Sequence, residues 1–217
     1  MLAARLDTLI DEQSLQDQDP EDRYITSGVS WQNYESLLDR LGDSAGVRVT
    51  YLDGVLEIVS PSRRHESGKT RIGTLLEIYF LETETAYFPL GSTTLRSATT
   101  QSGAEPDESY CIGVEKALPD LVIEVIATSG GLNKLAVYGR LGISEVWFWQ
   151  DNRFSLFYLR EQTPLQFRQT DGYEAVSRSE LLPDLDMALL TECILQPNPL
   201  TAAREFRNRL RQQHGQG

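Results

Sequence analysis

"LPDLVIEVIATSGGLNKLAVYGRLG", Leu118 to Gly142, decides how this chain is read. Leu121, Val122, Ile123 and Val125 enclose Glu124 in a short apolar run that predicts a buried central strand. Gly130-Gly131 breaks the chain, and residues 132–141 return to a helical pattern. A carboxylate is costly to bury unless something pairs with it or coordinates it. Glu124 therefore needs a partner. The stretch offers an aspartate four residues before it, Asp120, and a lysine ten after it, Lys134.

Outward from this strand the pattern alternates. "VRVTYLDGVLEIVSP" reads as a hairpin turning at Asp53-Gly54, with Pro61 ending its second strand. Ser30 predicts an N-cap for a helix carrying Tyr34, Leu37, Leu38 and Leu41, stopped by Gly42. From His65 to Glu82, Ile72, Leu75, Leu76, Tyr79 and Phe80 share one helical face. Weaker strands follow in "YFPLG" and "TTLRSA", and "SEVWFWQ" and "FSLFYLR" read as a hairpin joined by "DNR". Strands before, between and after helices predict an α/β chain, a mixed central sheet flanked by helices in a single domain. Its expected divisions are an acidic N-terminal arm over 1–22, with a short helix over 3–13, the domain proper over 23–196, and an Arg-rich C-terminal helix and tail over 197–217.

The bulk numbers exclude several classes. Among 217 residues, 40% are hydrophobic, enough for a real core, and no apolar run approaches the roughly 20 residues of a membrane helix. Cys111 and Cys193 stand apart without metal-ligand spacing, which predicts reduced cysteines in a cytoplasmic protein. A net charge of −12 argues against a generic nucleic-acid binder. The charge is uneven, however. Seven acids stand against Arg5 through Asp22, whereas "SRRHESGKTR" sets Arg63, Arg64, Lys69 and Arg71 against Glu66 alone.

Asp107 in "EPD", Glu124 in "IEV" and Lys134 in "LNK" carry the chemistry. Two carboxylates on adjacent strands can hold a divalent cation, with a backbone carbonyl and water completing the shell. A nearby lysine can orient an attacking water or stabilise a phosphoryl transition state. Such chemistry needs no organic cofactor. Several of these residues also have plainer readings. Asp107 could be an ordinary turn acid, Lys134 a solvated helix lysine, and His65 a helix cap. Asp120 reads as a turn or capping acid, and Trp147-Phe148-Trp149 as packing. Glu57, between Leu56 and Ile58, is expected on the opposite face, toward solvent.

"YLDGVLEIVSPSRRHES", "EPD", "LPDLVIEVIATS" and "NKLAVYGRLGISEVWFWQD" together resemble the Uma-type endonuclease family of the PD-(D/E)XK superfamily, over about Thr26 to Ile194. The resemblance implies the restriction-endonuclease-like fold and hydrolysis of DNA phosphodiesters with Mg²⁺ or Mn²⁺. It places the metal on Asp107, Glu124 and the Ile126 carbonyl. Ile126 occupies the lysine position of the ExK pattern, and Lys134, on the following helix, stands in for it. His65 is expected near the scissile phosphate, and Arg63, Arg64, Lys69 and Arg71 on the DNA backbone. A homodimer is an allowed assembly. The alternative is an inactive scaffold of the same fold that binds partner proteins.

Overall fold

A computed structural model describes residues 22–42, 46–127, 131–160 and 165–214. The expected arm over 1–22, with its helix over 3–13, lies outside them except for Asp22. Two sheets and five α-helices make up the described chain. The first sheet contains β1 (Asp22–Thr26), β2 (Arg48–Leu52), β3 (Val55–Ser60), β5 (Leu95–Ser97) and β6 (Ser102–Ala104), in the order β1-β3-β2-β6-β5. The second has the order β11-β10-β9-β8-β7-β4. Its strands are β4 (Tyr87–Pro89), β7 (Glu108–Ile112), β8 (Leu121–Val125), β9 (Glu145–Gln150), β10 (Arg153–Leu159) and β11 (Tyr173–Val176). Only β8 and β9 pair in parallel, so this second sheet is the mixed sheet the sequence predicts.

The hairpin forms as expected, but it belongs to the other, wholly antiparallel sheet. Asp53 and Gly54 turn at φ of 47° and 83°, the double positive φ that a two-residue hairpin loop needs and that glycine adopts without strain. Edge strand β1, β6 and β11 were not legible, because each is short and lacks clear alternation.

Helix α1 (Trp31–Leu41) starts at Ser30, whose Oγ accepts from Asn33 N, and covers one face of the small sheet. There Trp31 and Tyr34 pack on Val49, Tyr51 and Leu56, with the Tyr34 and Tyr51 rings stacked at 4.8 Å. Helix α2 (Arg63–Glu82) crosses the mixed sheet together with α4 (Met187–Leu195) and α5 (Pro199–His214). Residues Leu121, Ile123 and Val125 of β8 point into this layer, and Val122 points the other way, against α3 (Lys134–Leu141).

Two features of this layer bear on the sequence expectations. The Arg-rich C-terminal helix packs on the domain, with Ala202, Phe206 and Leu210 buried in the main core. Arg71, expected on the DNA backbone, is engaged within the fold. Its guanidinium donates to the carbonyls of Ile194 at 2.9 Å, Gln196 at 2.5 Å and Pro197 at 3.0 Å. Those carbonyls end α4 and have no helical partner of their own, so a long cation from α2 satisfies them.

Removing that clamp should cost stability. Arg71→Met keeps the aliphatic stem and loses the charge-assisted bonds, so unfolding in urea should show a loss of about 2–3 kcal/mol. An unchanged midpoint would mean the carbonyls are satisfied by water alone. A second expectation concerns pH. Burial, opposed by Lys69 and reinforced by Glu77, Asp107 and Glu66, pushes the Glu108 carboxyl up to about 7. The folded state then holds a proton that the unfolded state releases near its ordinary value of 4.5. Stability should therefore fall as pH rises from about 4.5 through 7. Glu108→Gln should flatten that slope in melting curves taken from pH 5 to 8; a variant with the wild-type slope contradicts the assignment.

Candidate active site

The two sheets face one another across a cleft of about 280 Å³. Antiparallel pairing of β7 with β8 sets Glu108 opposite Ile123. Asp107 immediately precedes β7, and Glu124 follows Ile123 on β8, so both acids stand at the same end of the paired strands. There the Asp107 charge acts on Glu124. Asp107 is 2% exposed and Glu124 6%. Both line the cleft, along with His65, Ile126 and Lys134.

Each carboxylate is held by named donors. Asp107 Oδ2 accepts from Val125 N at 2.7 Å, and Oδ1 lies 2.7 Å from His65 Nε2. His65 is set in the first turn of α2, where its backbone N–H donates to the N-cap Ser62 Oγ at 3.1 Å. The cap is thus Ser62, and the imidazole is left for the cleft. Glu124 Oε1 accepts from the Tyr138 hydroxyl, and Lys134 Nζ lies 3.1 Å from the same oxygen. Lys134 and Tyr138 are four apart on α3, which puts them on one helical face. Asn133 caps that helix, its side chain accepting from Ala136 N at 3.3 Å, and so fixes where the first turn begins.

Burial drives the Glu124 carboxyl above its ordinary value. The Asp107 charge acts in the same direction, while Lys134 and the hydrogen bonds from Tyr138 and Lys134 oppose it. Burial, followed by Glu124, raises the Tyr138 hydroxyl well above its own ordinary value, so it remains a donor. The pair of carboxylates is therefore under electrostatic stress that a cation between them would relieve.

Among the described residues no three His, Cys, Asp or Glu side chains converge as a ligand set. Asp107 and Glu124 nevertheless line one cleft, beside Ile126, and offer oxygen ligands only. Such a group suits Mg²⁺ or Mn²⁺, which retain waters and need few protein ligands. Glu124 Oε2 receives no hydrogen bond from the described residues, and Asp107 keeps a second lone pair on each oxygen. The residues present fit a hard divalent cation.

Glu57 departs from expectation. Strand alternation does turn it away from Leu56, which packs under α1. The opposite face is not solvent but the wall of the cleft, and Glu57 is 2% exposed. Its oxygens lie 3.0 Å from Arg23 Nε and accept from Leu132 N at 2.9 Å. A Cβ on Gly131 would lie 2.6 Å from Glu57 Oε1 and 2.8 Å from Arg23 Nη1, so a side chain there would push the ends of this ion pair aside. Asp120 is structural, as expected: it accepts from Ile112 N at 2.8 Å and from Lys116 Nζ at 2.6 Å.

The basic cluster is spread over several hollows. Arg63 and Arg64 are exposed at the start of α2. Arg64 lines a cavity next to the cleft, whereas Arg63 faces a groove between α2 and the C-terminal helices. Lys69 lies 3.8 Å from Glu66, in a groove that shares Arg48 and Glu105 with the cleft. Sequence reasoning also missed Tyr138, Arg23, Arg48 and Glu105. Tyr138 carried a signal, its spacing from Lys134. The other three did not, because their place depends on how the small sheet meets the large one.

None of the curated proteins matches the chain. Among solved structures, a chain described as "a putative nuclease belonging to DUF820", from Anabaena variabilis, is similar with a TM-score of 0.44 at 14% identity. The likeness covers 68% of this chain and 91% of that one. A family model described as "Uma2: Putative restriction endonuclease" matches residues 31–190. That span holds every residue named in the cleft except Arg23, and with most of its length matched, the chain belongs to the Uma2 family.

Proposed function

We propose that this protein is a divalent-cation-dependent endonuclease that hydrolyses phosphodiester bonds in DNA. The observation that carries the reading is that Asp107 and Glu124, at the same end of β7 and β8, line one cleft, with Lys134 on Glu124. A divalent cation bound there would lower the pKa of water and offset the charge gathering on the phosphate. The protein's own residues do the rest. Tyr138 and Lys134 fix one oxygen of Glu124, which leaves Oε2 for the cation.

The Lys134 ammonium carries three N–H donors, of which the contact with Glu124 uses one. The others can orient an attacking water or meet a nonbridging phosphate oxygen. His65 holds Asp107 through Oδ1 and is a positioning residue in the first instance. Lys134 therefore fills, from a helix, the role that an ExK lysine fills from the strand. Its reach into the cleft supports an enzyme over an inert scaffold.

Two outcomes test this reading. Adding Mg²⁺ or Mn²⁺ should raise the melting temperature, because a ligand at 100 times its Kd adds about 2.7 kcal/mol to the folded state. Glu124→Gln keeps a partner for Tyr138 and should abolish the response with the fold intact. If the variant responds as the wild type does, Glu124 is not a ligand. In a cleavage assay with Mn²⁺, Asp107→Asn, Glu124→Gln and Lys134→Met should each reduce DNA hydrolysis about 10²–10³-fold. Wild-type protein that binds the cation yet cuts no DNA would favour the scaffold reading.

A further inference from the structure

The burial of the carboxylates restricts how DNA can reach them. Asp107 and Glu124 are almost wholly buried, and so is His65 at 6% exposed. A phosphate can meet them only by descending between the two sheets. Strand residues Thr50 and Glu57 stand on one side and Glu124, Val125 and Gln150 on the other, joined by the connecting residues Glu105, Asp107, Ile126, Gly131 and Leu132. They are also pinned to one another. Leu132, just before α3, donates to Glu57 of the small sheet. Arg140, near the end of α3, grips Asp53 at 2.6 Å and the Thr100 carbonyl at 3.1 Å.

Duplex DNA is a poor fit to such a slot. Its phosphates are held on the rim of a stiff helix, so one phosphate that enters the cleft cannot carry its neighbours into adjoining hollows while the bases remain paired. An unpaired strand can bend into it, since its backbone is free and its bases are already unstacked from a partner. The cleft also continues in both directions. A cavity of about 260 Å³ shares His65, Val125, Ile126 and Gln150 with it and reaches Arg64. On the other side, a groove of about 850 Å³ shares Arg48 and Glu105 and adds Lys69 and Arg96.

We infer that these three connected hollows form the path of one unpaired strand, so that the substrate is single-stranded or flapped DNA rather than intact duplex. The inference rests on the nuclease reading and extends it. Lys69 and Arg96 become phosphate contacts on the groove side, and Arg64 one on the other. Arg96 is exposed on β5 and belongs to no motif recognised in the sequence.

The test uses the full chain and three fluorescein-labelled oligonucleotides of matched sequence: a single strand, a duplex and a duplex with an unpaired flap. Affinity is measured by anisotropy in Ca²⁺, and cleavage in Mn²⁺. The single strand should bind at least about tenfold tighter than the duplex, and the flapped substrate should be cut in or beside its unpaired arm. Arg96→Glu should weaken single-strand binding several-fold and reduce the slope of log affinity against log salt by about 0.7. Duplex bound and cut as well as the single strand would overturn the inference and leave the nuclease standing. Single-strand preference with no effect of Arg96→Glu would overturn the groove side of the path. Failure to cut any of the three in Mn²⁺ would overturn the nuclease reading, and the inference with it.

Discussion

Parallel pairing of β8 with β9 obliges the chain to cross over between Val125 and Glu145, since parallel neighbours cannot be joined by a tight turn. The crossover lays α3 on the sheet face that carries Val122 and Glu124. From there, helical spacing turns Lys134 and Tyr138 toward one carboxylate, and Arg140 and Leu132 tie the same segment to the small sheet. A single topological demand thus places the lysine, holds the glutamate and fixes the width of the cleft. It also answers why a core strand carries a glutamate at all. Its burial cost is met by a hydroxyl and an ammonium delivered by the crossover.

The displaced lysine follows from the same geometry. Just past the end of β8, Ile126 comes two residues after Glu124, and its N–H donates to Trp149 O at 2.9 Å. Its backbone is thereby fixed beside the cleft, whatever side chain it bears. A lysine from the first turn of α3 reaches the same oxygen without occupying a strand position. The Asn133 cap makes that placement reproducible, because it sets the helix start one residue before the lysine.

What the sequence disclosed was local. The Asp53-Gly54 turn, the Ser30 cap, the β8 run and the apolar face of α2 are each written within a few residues, and each formed. Glu124 stood out as an acid in an apolar run, whereas Asp107 and Lys134 lie in polar stretches and were singled out by their partnership with it and by the family resemblance. What was not legible depends on packing between distant segments. Glu57 alternated as expected, yet its outward face meets the second sheet, an arrangement no strand pattern encodes. Arg71 looked like part of a basic patch until α4 ended against it, 123 residues or more away in sequence. Charge runs show where cations lie along the chain and not which of them are already engaged.

That engagement bears on how so acidic a chain could bind phosphate. The cleft is lined by Arg23, Arg48 and Lys134 against Glu57, Glu105, Asp107 and Glu124. The cations are largely matched within the fold: Arg23 with Glu57, Lys134 with Glu124, Arg48 with Glu66. A phosphate entering a cleft whose carboxylates outnumber its cations meets no net attraction. On the proposed function, the charge that draws the backbone in must therefore arrive with the divalent cation. Binding of cation and of DNA is then coupled, and linkage makes the coupling equal in both directions, so each ligand tightens the other by the same factor. In such a site the cation governs which strand is held as well as whether it is cut, and acidic surface elsewhere ceases to be an objection.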